Sequence, residues 1–81
     1  MKSGELIVSG IGQAQFELDS APIKIDVYYN DSGEIIVPCN PSSHDTLNWT
    51  ISGSILTINW KVAGIRAIKY DAWNYWSEVK A

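Results

Sequence analysis

The only cysteine and the only histidine of the chain fall in one short stretch, CNPSSHD, at Cys39 and His44. A thiol with an imidazole nearby is the minimum for nucleophilic catalysis, because the imidazole can take the thiol proton. With Asp45 the pair also offers three potential metal ligands, but none recurs at the spacing of a finger or a helical zinc motif. No oxyanion-hole motif accompanies them. A buried structural thiol beside a surface histidine accounts for both residues. Paired carboxylates for glycoside hydrolysis would need two acids facing one cleft; the nine acids here are scattered over turns and outward strand positions, where solvation explains them. The chain is therefore expected not to be an enzyme, with no catalytic residues, no cofactor and no metal.

The aromatic residues are the next candidates for chemistry. The chain ends DAWNYWSEVKA, a dense cluster of rings. A sugar platform needs rings that stay exposed, and Tyr28, Trp73, Tyr75 and Trp76 are the candidates for one. Trp49 and Trp60 fall on inward faces and are expected in the core. Lys61, Arg66 and Lys69 share a segment without an acid, and with Tyr70 they would suit single-stranded nucleic acid on an OB-like barrel. The net charge of −3 disfavours nucleic acid, above all duplex DNA, whose readers carry a basic face.

Eighty-one residues hold a single domain over 1–81, too short for two independent cores. Apolar residues make up 46% and charged residues 19%, so the chain is neither a disordered tail nor a solvated linker. One cysteine excludes an intrachain disulfide framework, so the four Trp, four Tyr and one Phe must supply much of a small core. Leu6–Val8 is too short an apolar run for a signal peptide, and no stretch reaches membrane-spanning length. No membrane partner is expected, and the expected setting is the cytoplasm or a virion. Two N-glycosylation sequons, at Asn30 and Asn48, read as chance matches.

The elements that must position these residues are strands. TLNWTIS-GS-ILTINWKV alternates with period two on both sides of Gly53-Ser54, and glycine in the first place is what a type II′ turn requires. The implied partners are Ile51 with Leu56, Trp49 with Ile58 and Leu47 with Trp60, and on the other face Thr50 with Thr57 and Asn48 with Asn59. A slip of one residue would destroy this agreement. Val62-Ala63-Gly64 reads as a second, three-residue turn, pairing Ile58 with Ile68, Leu56 with Tyr70 and Arg66 with Trp60. Earlier in the chain, Ala14, Phe16 and Leu18 alternate inward, as do Ile23, Ile25, Val27 and Tyr29. A loop over Asp19–Pro22 would pair Phe16 with Ile25 and Glu17 with Lys24. Leu6–Ser9 is a first strand, with Gly10 and Gly12 permitting a bulge or bend. Asn30–Gly33 is a turn before a strand at Glu34–Val37, and CNPSSHD joins the two halves.

The expected fold is all-β: a small antiparallel β-sandwich or partly open barrel of about six to seven short hairpin-connected strands. An aromatic-rich C-terminal segment, residues 70–81, would pack on the sheet or at an interface. Trp73 is expected to close the core. Tyr75 and Trp76 are adjacent, so an extended chain cannot bury both, and with Tyr28, Arg66 and Lys69 they form the expected interaction surface. The expected function is a protein-interaction or assembly module, binding a protein partner or its own copies. In size, acidity and strand content it is like small virion (phage) accessory domains, a likeness of composition alone. A carbohydrate-binding module is the alternative, and an OB-like single-strand binder the third. Cys39→Ser and His44→Ala should leave melting and partner binding unchanged; a Cys39 thiol pKa well below the free value of about 8.5 would restore the catalytic reading.

Overall fold

The Gly53-Ser54 hairpin forms as the alternation requires. In the computed structural model, which describes residues 1–31, 34–35 and 46–80, strand β4 (Leu47–Ser52) pairs antiparallel with β5 (Ile55–Trp73). The register is Ile51 with Leu56, Thr50 with Thr57, Trp49 with Ile58, Asn48 with Asn59 and Leu47 with Trp60. Gly53 adopts φ 60°. Matched polarity on both faces is enough to fix such a local pairing.

The rest of the sheet is built on two long strands. β1 (Lys2–Glu17) has 16 residues and β5 has 19, and they pair antiparallel throughout. β2 (Lys24–Asp31) pairs with the second half of β5, from Lys24 with Trp73 to Tyr29 with Ile68. The two-residue β3 (Glu34–Ile35) pairs antiparallel with the end of β2. A short helix, α1 (Trp76–Lys80), ends the described chain. The result is one open antiparallel sheet in which β5 carries β1 on one side and β4 and β2 in succession on the other.

This differs from the expected six to seven short strands: the described residues form five, two of them long. The residues read as a turn, Val62-Ala63-Gly64, lie inside continuous β5. Pairing with β1 runs to Ser9 opposite Ile65 and resumes with Gly10 opposite Val62, leaving Ala63 and Gly64 as extra residues. The residues after Gly64 pair with β1 and β2, so Ile58 is not beside Ile68, nor Leu56 beside Tyr70. Likewise Phe16 pairs with Leu56 rather than Ile25, and Glu17 with Ile55 rather than Lys24. A left-handed glycine serves a three-residue turn and a bulge equally well; here β1 is long enough to hold both halves of β5, and the bulge wins. The Asn30–Gly33 turn, the remainder of the strand at Glu34–Val37 and the loop with Cys39, His44 and Asp45 lie largely or wholly outside the described residues.

The irregularity bends the sheet back on itself. A straight strand of 16 residues would span roughly 50 Å, yet the longest dimension of the molecule is 37 Å. The ends of β1 meet: Lys2 Nζ donates to the Glu17 carbonyl at 3.3 Å and pairs with Asp19 at 3.6 Å. At the bend, Gly10 has φ 65° and Gly64 φ 79°, conformations that cost other residues. Of the two glycines that permit a bulge or bend, Gly10 lies at it and Gly12 does not. It makes two arms, one from residues 2–9, 65–73 and β2, the other from residues 10–17, 55–62 and β4. Their inner faces share one core: Val8, Ile25, Val27, Tyr29, Ile68 and Tyr70 from the first, Leu47, Trp49, Leu56 and Ile58 from the second. Phe16 and Tyr70 bridge them, ring centroids 5.1 Å apart.

Each arm contains one glycine lying beneath a large ring. Gly12 pairs with Trp60 and Gly4 with Tyr70. A Cβ on Gly12 would sit 2.6 Å from Trp60 Cε2, and one on Gly4 2.7 Å from Tyr70 Cζ. The rings therefore lie flat across β1, covering backbone that glycine leaves bare. Gly12→Ala should cost about 1–3 kcal/mol through overpacking, and Trp49→Ala about 3–5 kcal/mol through loss of a core ring. Chemical denaturation checks both; parent-like midpoints would contradict the packing.

Candidate functional site

Alternation decides which side chains reach solvent. Along β1 the even positions face the core, so Ser3, Glu5, Ile7, Ser9, Ile11, Gln13, Gln15 and Glu17 face outward. Most are polar. Ile7 and Ile11 are not, and they are 66% and 80% exposed. Ile65, paired with Ser9 at the edge of the bend, is 76% exposed. The three isoleucines flank the bend on its outer side. They lie on or beside β1, which ends the strand order and has a neighbour on one side only among the described strands.

Beyond the bend the two outer faces have different chemistry. On the β4 arm, Gln13 Nε2 donates to Asn59 Oδ1 at 2.9 Å, and Asn59 Nδ2 donates to Asn48 Oδ1 at 3.0 Å. Gln15 Nε2 reaches Thr57 Oγ1 at 3.4 Å. This uncharged ladder crosses three strands. On the β2 arm the face is ionic. Asp71 accepts from Ser3 Oγ at 2.6 Å and from the Tyr28 hydroxyl at 2.8 Å. Asn30 Nδ2 reaches Glu5 Oε2 at 3.4 Å. Asp26 stands directly opposite Asp71, and Lys24 lies 3.9 Å from Asp26.

The residues expected to form an interaction surface fall in three places. Tyr28 and Lys69 are cross-strand partners on the ionic face. Arg66 faces inward instead, its guanidinium 4.2 Å from the ring centroid of buried Tyr29. That contact replaces the expected one with Trp60, because Arg66 now pairs across to Val8 and lies near β2. Lys61 faces outward on the other arm, opposite Ile11. The basic segment is therefore split between faces.

Tyr75 and Trp76 stand at the C-terminal end, 57% and 68% exposed. The turn before α1 is tied down: Asn74 N donates to Glu78 Oε2 at 3.1 Å, and the Met1 ammonium bonds Glu78 Oε1. Trp73 does not close the core as expected. It ends β5 on the outer face, beneath the Lys24 ammonium at 4.7 Å. The neighbouring inward position belongs to buried Ala72. Trp60 packs against the core with its indole N–H buried and unpartnered among the described residues.

The exposed isoleucines were not anticipated, though a signal existed. Extending the alternation of Ala14 and Phe16 backwards puts Gly12 and Gly10 inside and Ile11 outside. Comparison with protein-family models, curated proteins and solved structures finds no match.

Burial pushes the Tyr28 hydroxyl up to about 12, reinforced by its bond to Asp71 and the negative charges of Asp71, Asp26 and Glu5. A raised phenol pKa means that the unfolded chain loses this proton first. The stabilisation is fully present below pH 10, the ordinary value, and is lost as pH rises from 10 towards about 12. Ultraviolet titration should show a late-ionising component that Tyr28→Phe removes. A parent curve that Tyr28→Phe leaves unchanged above pH 10 would contradict the Asp71 contact.

Proposed function

We propose that this chain is a non-enzymatic assembly module that joins copies of itself, of the kind an accessory domain on a virion or another surface would use. One observation carries the reading: Ile7, Ile11 and Ile65 are exposed together beside a 16-residue edge strand. Fully burying one such side chain is worth roughly 1.5–3 kcal/mol, and small soluble domains rarely leave several adjacent ones uncovered without a use. A long edge strand presents a row of unpaired backbone groups and is a template for another chain unless guarded. β1 has no proline, and its acids stand away from the bend at Glu5 and Glu17. Tyr75 and Trp76 offer a second, separate apolar contact.

We read the scaffold as a small β-sandwich made by folding one sheet. The shared core of the two arms and the Phe16–Tyr70 contact support this. A glycan-binding reading is favoured only by the exposure of the Tyr75 and Trp76 rings. Tyr28 is held by Asp71, and one face of Trp73 is covered by Lys24.

Sedimentation over a range of concentrations should give masses above the 9.0 kDa monomer. Ile7→Lys with Ile11→Lys should return the chain to a folded monomer that melts like dilute, monomeric parent, since both side chains are exposed. A monomer at every concentration would overturn the assembly reading. A glycan-induced shift in tryptophan emission, abolished by Trp76→Ala, would favour the alternative.

A further inference from the structure

The arrangement of β1 restricts how a second copy could use it. Residues 2–9 run along one arm and residues 10–17 return along the other, so that Lys2 reaches Glu17. The exposed edge of the molecule is therefore two antiparallel strand edges, one per layer, joined at Ser9 and Gly10. A two-fold axis along the arms, midway between two copies, exchanges the layers. It lays residues 2–9 of one copy beside residues 10–17 of the other, antiparallel, and repeats the contact in the second layer. Both edges are then satisfied at once, the closed isologous geometry expected of a symmetric dimer.

We infer that two copies pair in this way, with Ile7 of each chain opposite Ile11 of the other. The inference rests on the assembly reading and specifies its partner and register. Rotation about the axis leaves every residue at the same position along it, so residues that meet across the interface are those already stacked within one chain, near Lys2 over Glu17. Core-facing residues must also meet core-facing residues, because both layers share one inside. Two registers satisfy both conditions. One sets Ile7 opposite Ile11, Glu5 opposite Gln13 and Ser3 opposite Gln15, with Glu17 beside the Met1 end. The other, displaced by two residues, sets Ile7 opposite Gln13 and Ile11 opposite Ser9. The first matches the apolar pair twice by symmetry and brings no acid against another acid, and cross-strand matching of this kind is what stabilises a register.

In the first register Ile65, diagonal to Ile7 on the same arm, adds to the same apolar row. Lys61, opposite Ile11 within its own chain, borders that row and extends its stem along it. Each copy carries a net charge of −3, so the dimer forms against mutual repulsion. Added salt should therefore strengthen it by screening, opposite to the response of a nucleic-acid complex.

Directly opposed residues of an antiparallel pair have Cα atoms about 4.5–5.5 Å apart, within reach of a disulfide. The test uses the full chain carrying Cys39→Ser, in which Ile7→Cys and Ile11→Cys are made separately. Both sites are exposed, and circular dichroism checks that each variant folds. Mild oxidation of the mixed variants should give a covalent 7–11 dimer that neither variant gives alone. Cross-links forming equally well within either single variant would overturn the register. If the unoxidised Cys39→Ser chain still sediments as a dimer in that case, assembly stands and only this interface fails. A monomer that gives no 7–11 product overturns both.

Discussion

The structure depends on a bend. Two strands of this length cannot remain straight in a molecule so small, and a bent pair must release strain at a defined place. Left-handed glycines on both strands provide it, Gly10 on β1 and Gly64 on β5, with Ala63 and Gly64 absorbed as extra residues. Because both strands turn at the same point, their inner faces come together and the core can close without a second sheet. The same turn leaves the residues on its outer side with nothing to pack against. Inside and outside are thus consequences of one local irregularity, and so is the exposure of Ile7, Ile11 and Ile65.

The two arms use the bend differently. On the β4 arm, amide and hydroxyl side chains bond one another across three strands, and no charge is needed to hold that face. The β2 arm places Asp26 against Asp71, an arrangement that repels unless compensated. Ser3, Tyr28 and Lys24 provide the compensation, through donated hydrogen bonds and a nearby ammonium. Tyr28 is accordingly a donor within this network. Arg66, drawn onto the Tyr29 ring, is likewise committed to packing within the fold.

Much of this was legible in the sequence, and the limits have a physical origin. Alternation identifies which face of a strand is buried, and it did so for Leu47, Trp49, Leu56, Ile58, Ile25, Val27 and Tyr29. It names the partner only when a tight turn brings the two strands together, as at Gly53. The pairing of residues 2–17 with 55–73 closes the chain over a long separation, and no local pattern encodes that choice. Gly64 reads as a turn in the sequence because its left-handed preference is the same in a turn and a bulge. Ile58 and Ile68 do belong to one core, but across the layers rather than side by side. Trp73 was placed inside by its position after an inward pair; the parity of β5 puts Ala72 there instead. Tyr75 and Trp76 were marked as adjacent rings that could not both bury, and both are exposed.

In the proposed dimer the β1 edge is the surface that joins two copies. In an edge strand of an antiparallel sheet only alternate amides point to a neighbour, and the others face solvent. Residue-resolved hydrogen exchange along residues 2–17 reads this directly. Protection should alternate in dilute monomer and cover both sets, in both arms, at concentrations where the dimer forms. Protection that still alternates in a chain sedimenting as a dimer would contradict it, because copies would then be joined elsewhere.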